Sequence, residues 1–181
     1  MKKLSLEELQ RIDIETFKKS HKLPLFIILD NIRSQFNIGS IFRTCDAFRV
    51  EELLLCGITA QPPSREIEKS ALGATQSVLW KYFKSTQDAI DYCKSKKCII
   101  AAIEQTDKSI DIRDFKVNHQ NYYAFIFGNE VNGVDQNIIN QCDFSIEIPQ
   151  FGTKHSFNVA VTSGIIVYDF FVKQSLNVDF F

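Results

Sequence analysis

Four polar segments each follow directly behind an apolar run. DNIRSQFN follows Leu25–Leu29, EQT follows residues 98–103, GNEVNG follows 122–127, and PQFGTKHSFN follows 144–148. Together they supply side-chain amides (Asn31, Gln35, Asn37, Asn158), hydroxyls (Ser34, Ser156) and carboxylates, among them Asp30 and Glu130. Arg43 stands six residues beyond Asn37, inside a stretch whose spacing predicts a helix over 38–48. At 100° per residue, Ile38, Ile41, Phe42, Cys45 and Phe48 share one face of that helix,. Arg43 lies nearly opposite, flanked by Gly39, Ser40 and Ala47. Such an arginine reads either as an ordinary solvated side chain or as one presented to a partner subunit or an anionic substrate. Ser156 and Asn158 read equally as caps of a final helix, Glu130 as a turn carboxylate, and Asp135 as the cap of the next helix,.

Several chemistries are disfavoured. There is no G-x-G-x-x-G behind a strand and no G-x-x-x-x-G-K-[ST] loop, so neither a dinucleotide fingerprint nor a phosphate cradle is present,. His21, His119 and His155 are scattered, without a nucleophile or metal-ligand pattern around them,. The cysteines (Cys45, Cys56, Cys93, Cys98, Cys142) are odd in number, never spaced C-x-x-C, and sit mostly in apolar runs. They are expected to be reduced core thiols of a cytosolic protein, with no metal site.

The elements that must position these side chains follow from the pattern. Strands are expected at 25–29, 52–56, 78–80, 98–103, 122–127 and 144–148, and helices near 38–48, 65–72, 86–95, 134–141 and 157–172,. Runs such as Cys98–Ile103 and Tyr123–Phe127 are apolar throughout, as in strands buried on both faces,. Strands alternating with helices predict an α/β fold with a mainly parallel sheet flanked by helices, and ligands collect beyond the carboxyl ends of such strands. Ahead of this core, residues 1–23 carry Leu4, Leu6, Leu9, Ile12, Ile14 and Phe17, with Ser5 placed to cap a helical extension,. Gly164 inside the last helix costs up to about 1 kcal/mol relative to alanine, so close backbone packing is expected there,.

The 181 residues, 45% hydrophobic and 24% charged, are in the globular range and long enough for one sizeable core,. A net charge of −1 and a pI of about 6.3 supply no global field for a nucleic acid, so any basic surface must be local,. In the first 24 residues, Lys2, Lys3, Arg11, Lys18, Lys19 and Lys22 outnumber Glu7, Glu8, Asp13 and Glu15. The N-terminus lacks the apolar segment of a signal peptide, and no run approaches the roughly 18 apolar residues of a membrane span, so a cytoplasmic, membrane-free protein is expected,.

Three segments resemble, in order, the motifs of the SpoU/TrmH family of SPOUT-class RNA methyltransferases. They are NIGSIFRTCDAF (37–48), FIFGNEVNGV (125–134) and IPQFGTKHSFNVAVTSGIIVYD (148–169). KSALGA (69–74) resembles a weaker family segment, and Phe157 departs from the usual leucine. The resemblance implies a C-terminal trefoil knot, the SPOUT fold, in a domain spanning 24–181. It implies a homodimer with a site shared between subunits. It also implies transfer of a methyl group from S-adenosyl-L-methionine to a ribose 2′-hydroxyl of RNA, and a single-domain chain tilts the expectation mildly toward tRNA over rRNA. By the same resemblance Asn37, Arg43, Glu130, Ser156 and Asn158 form the catalytic set, and Ile103, Gly128, Ile148 and Phe157 line the cofactor pocket. The alternative is a catalytically inactive RNA-binding module with the same fold.

Overall fold

A computed structural model of the chain describes residues 1–5 and 7–175. Leu6, expected on the N-terminal helix, and residues 176–181 of the expected 24–181 domain lie outside the described residues. The strands are β1 (Leu23–Asp30), β2 (Val50–Cys56), β3 (Trp80–Phe83), β4 (Ile99–Ile103), β5 (Ile110–Asp111), β6 (Tyr123–Phe127) and β7 (Phe144–Glu147). They form one sheet in the order β3-β2-β1-β6-β4-β7-β5, parallel at every pairing. The helices are α1 (Ile14–Lys19), α2 (Gln35–Ala47), α3 (Arg65–Ala71), α4 (Ala74–Ser77), α5 (Thr86–Ser95), α6 (Gln136–Ile139) and α7 (Val159–Ser175).

Period-two alternation sorts the strand side chains onto two faces. Leu25, Ile27 and Leu29 of β1 join Tyr123, Phe125 and Phe127 of β6 in a core shared with α2 (Ile38, Ile41, Phe42, Cys45) and α7 (Ile166, Val167, Phe170). Phe26 and Ile28, with Ala124 and Ile126, face the other way onto Ala89, Ile90 and Cys93 of α5. Burial on both faces explains the uninterrupted apolar runs. Each fully buried Leu, Ile or Phe contributes about 1.5–3 kcal/mol relative to exposure. The cysteines are free thiols, four of them buried, and burial pushes the Cys56 thiol up to about 12.

Some expectations needed correction. Of the helical extension expected within residues 1–23, only α1 is helical among the described residues. Ser5 does form the expected cap, since its Oγ accepts from Glu8 N at 3.3 Å while Glu8 Oε2 accepts from Ser5 N at 2.7 Å. That turn ends at Gln10 (φ +46°), and Asp13 caps the start of α1 by accepting from Thr16 N. Among the described residues of that apolar set, only Phe17 is buried, and Leu4, Leu9, Ile12 and Ile14 are exposed. The strand expected at 78–80 begins at Trp80, because Val78 closes α4.

Gly39, which flanks Arg43 on the helix, is held to glycine by packing. A Cβ there would stand 2.1 Å from Ser70 Oγ and 2.3 Å from the Ile67 carbonyl, so its space is taken by α3 crossing α2. Gly164 shows the reverse, because beyond its chain neighbours and its own helix backbone no atom of the described residues lies within 4 Å of a Cβ built on it. The close packing expected at that position is not made among the described residues of one chain.

Candidate active site

The polar segments meet at the carboxyl edge of the sheet, around the central pair β1 and β6. The link between them is a polarised chain of hydrogen bonds. Glu130, in the loop after β6, accepts from Arg33 N (2.9 Å) and Ser34 N (3.0 Å) at the start of α2, and from Asn37 Nδ2 (3.1 Å). A carboxylate only accepts, so Asn37 must turn its NH₂ toward Glu130 and its oxygen away. That oxygen accepts from Asn158 Nδ2 at 3.1 Å. Asn158 in turn points its own oxygen at Ala160 N (2.9 Å) and Val161 N (3.4 Å), capping α7. Capping and site assembly are therefore the same arrangement. Ser34 caps α2, and Asp135 caps α6 as expected.

Beside this chain opens a cleft of about 680 Å³ between the ends of β4, β6 and β7. Ile103, Phe127, Ile146 and Ile148 supply its apolar part, with Gly128, Glu130, Ser156, Phe157 and Asn158 among the other lining residues. All four expected cofactor residues line it. Its charged lining is one-sided: Glu104, Glu130 and Glu147, with no lysine or arginine among the described residues. Ser156 makes no hydrogen bond among the described residues. Asn37 is buried behind the cleft at 7% exposure.

Arg43 is not brought in. It projects from the exposed side of α2, does not line the cleft, and makes no hydrogen bond or ion pair with the described residues. Within one chain the expected catalytic set is thus four residues gathered and one apart.

Two organising residues were missed by sequence reasoning, although both stand immediately behind strands. Asn129 donates to the Asn31 carbonyl at 2.7 Å, tying the β6 loop to the end of β1, and accepts from Val131 N and Asn132 N. Glu104 accepts from Val134 N at 3.0 Å, closing the loop from the β4 side. Gly128 fits beneath this closure, where a Cβ would stand 2.2 Å from Gly133 C and from Val134 N. Its smallness serves the chain's own backbone. Asp30 and Asn31, conspicuous in the sequence, are committed locally: Asp30 accepts from Thr86 Oγ1 and Asn31 Nδ2, and Asn31 accepts from Ile58 N.

Burial pushes the Glu130 carboxyl up, but the amides of Arg33, Glu130 itself and Ser34, with the Asn37 side chain, overcome it and hold the group below its ordinary value of 4.5. A depressed carboxylate stabilises the fold above its unfolded pKa, and that contribution fades as pH falls through the folded value. The stability difference between the parent protein and Glu130→Gln, measured by urea unfolding, is expected to be largest near neutral pH. It should narrow as the pH drops below 4.5. A difference independent of pH would contradict the assignment.

Among the described residues, no helix is long and apolar enough to cross a membrane, and no His/Cys/Asp/Glu group is placed to hold a metal ion. Comparison with known proteins places the arrangement. A protein of Staphylococcus haemolyticus named for the TrmH family of tRNA/rRNA methyltransferases is 28% identical over 161 residues, which cover 89% of this chain and 64% of that protein. The chain therefore spans just under two thirds of that relative's length. The A. aeolicus TrmH/SpoU tRNA modifying enzyme superposes with a TM-score of 0.77 at 26% identity, covering 90% of this chain and 81% of that one. The SpoU methyltransferase AviRb from Streptomyces viridochromogenes, solved in complex with AdoMet, shares the fold with a TM-score of 0.77 at 22% identity, over 87% of this chain and 63% of that one. The model of the SpoU rRNA Methylase family matches residues 24–168, a span holding every residue of the hydrogen-bonded chain and most of α7, and the chain belongs to that family.

Proposed function

We propose that the protein is an S-adenosyl-L-methionine-dependent RNA methyltransferase that modifies a ribose 2′-hydroxyl of tRNA or rRNA, and that it works as a homodimer with a trefoil-knotted C-terminal region. The observation that carries the reading is the acidic cleft beside the Asn158–Asn37–Glu130 chain. Its volume suits a small ligand, its floor is apolar, and three carboxylates without a lysine or arginine favour a cation over a phosphate-bearing cofactor such as a flavin nucleotide,. S-Adenosylmethionine, a sulfonium with an apolar body, fits that chemistry, and Ile103, Gly128, Ile148 and Phe157 would hold it. Bound there, it supplies an electrophilic methyl group.

The chain's own residues position the acceptor. Glu130 has three donors aimed at it and a lowered basicity, so it braces the start of α2 rather than taking a proton. The exposed Ser156 hydroxyl is free to bond the substrate. Arg43 would be contributed by the second subunit, where its guanidinium orients a substrate phosphate and stabilises the oxygen anion that develops as the hydroxyl gives up its proton to solvent water. Arginine keeps its proton throughout the accessible pH range, so it serves as an electrostatic group and not as the base. Support for tRNA comes from the name of the A. aeolicus enzyme. Mapping ribose methylation across total RNA with and without the protein tests this reading, and the loss of one or more sites is expected.

The second subunit is argued from α7. Val161, Ile165 and Tyr168 are exposed along it, and with Gly164, Val172 and Ile112 they line an apolar groove of about 600 Å³. A second copy would supply the packing that Gly164 lacks within one chain. Sedimentation should therefore give a particle of about twice 20.8 kDa. A fully active monomer at micromolar concentration would contradict the shared site.

A further inference from the structure

Phenylalanine is the chain's preferred core filler, with 16 residues. Those described are buried or half-buried, with three exceptions. Phe36, Phe151 and Phe157 are exposed at 65%, 93% and 43%. The exceptions are not scattered. All three stand in segments leaving the carboxyl edge of the sheet, Phe36 behind β1 and the other two behind β7, the same segments that carry Asn37, Ser156 and Asn158. Phe157 lines the cleft, whereas Phe36 and Phe151 lie outside it.

Phe36 is held rigidly while its ring stays in water. It sits in the first turn of α2, between the Ser34 cap and the anchored Asn37, and that turn is cross-linked to the β6 loop through Glu130. Leaving a phenylalanine ring exposed forgoes the burial that the other rings obtain, so a rigid exposed ring beside a reaction centre is suited to receive something. Each of the two rings also has an exposed cation three residues away in sequence, Arg33 for Phe36 and Lys154 for Phe151. Planar rings joined to cations suit an unpaired nucleic-acid strand, whose bases stack on aromatic faces while its phosphates meet basic side chains. In a duplex the bases are stacked on one another and offer the rings no face.

We infer that Phe36 and Phe151 are stacking platforms for bases flanking the target ribose, so that the modified nucleotide lies in an unpaired stretch of RNA. The inference rests on the RNA methyltransferase reading and adds to it. A ribose hydroxyl is common to all four nucleotides, so the base must be gripped separately if the sugar is to be held still. Stacking does this without hydrogen-bond readout.

The test uses the full chain, a short fluorescein-labelled single-stranded RNA of mixed sequence, and the same strand in a blunt duplex. Phe36→Leu and Phe151→Leu keep an apolar side chain but remove the π face. Phe36→Trp and Phe151→Trp keep the face and add a reporter whose only background is Trp80. Each leucine variant is expected to weaken single-strand binding by about ten- to a hundredfold, with duplex binding, S-adenosylmethionine affinity and sedimentation unchanged. The tryptophan variants should retain affinity, with their added emission quenched by the single strand. Leucine variants that bind the single strand like the parent would overturn the inference while leaving the methyltransferase reading intact. A leucine variant that shifts to monomer would also overturn it, by assigning the ring to contact between copies. A parent protein that binds neither S-adenosylmethionine nor RNA would remove both.

Discussion

Replacing Arg43 with alanine is expected to abolish methyl transfer while leaving fold and cofactor affinity unchanged. The side chain is exposed, makes no hydrogen bond or ion pair with the described residues, and does not line the cleft, so its removal breaks nothing inside the chain. In the proposed shared site, what it removes is a charge placed where negative charge develops in the reaction. Losses of about 10²–10³-fold are typical for one such electrostatic group. Arg43→Lys is expected to fail as well, because a point charge does not reproduce the planar fork that holds a phosphate. Three measurements separate the roles: transfer rate, S-adenosylmethionine affinity by isothermal titration, and melting temperature. A cofactor affinity that falls in step with the rate would move Arg43 to the cofactor side.

Gly128→Ala should be as damaging by the opposite route. The added methyl would stand 2.2 Å from Gly133 C and Val134 N, and 2.5 Å from Gly133 O, all of them backbone atoms that cannot rotate away. The loop must shift, and two attachments shift with it: the Glu104–Val134 hydrogen bond and the Glu130 bonds to α2. Overpacking of this kind costs about 1–3 kcal/mol of stability. The cleft wall moves too, so a loss of S-adenosylmethionine binding of more than about tenfold is expected, a difference of at least about 1.4 kcal/mol. Retained affinity with unchanged urea midpoint would show that the loop is looser than its packing implies.

Much of the arrangement was legible in the sequence because it rests on local rules. Runs such as Tyr123–Phe127 announce strands buried on both faces, and the one-sided spacing of Ile38, Ile41, Phe42 and Cys45 orients α2 without knowledge of the rest. Position behind a strand was enough to collect Asn37, Glu130, Ser156 and Asn158. What failed depended on distant partners. Nothing near Gly39 in sequence announces the Ile67 carbonyl pressed against it, and nothing near Asn129 announces the Asn31 carbonyl it holds. Two-residue β5 is too short to show a period. The N-terminal helix failed for a local reason with a tertiary consequence: a cap and an apolar pattern start a turn, but without a surface to bury Leu4, Leu9 and Ile12 the turn is not extended,. The backbone of Gly133 and Val134 pressed against Gly128 was likewise invisible in the sequence, because the loop that brings them there closes through Glu104 on another strand.

The central claim, that the acceptor is a ribose hydroxyl, is tested most directly by the chemical form of the transferred methyl group. RNA methylated by the purified protein with methyl-labelled S-adenosylmethionine is digested to completion with alkali. A 2′-O-methyl group blocks cleavage at its own phosphodiester. The label is therefore predicted in alkali-resistant dinucleotides, and it should be absent when Arg43→Ala replaces the parent protein. Label recovered in ordinary mononucleotides would place the methyl on a base and contradict the account.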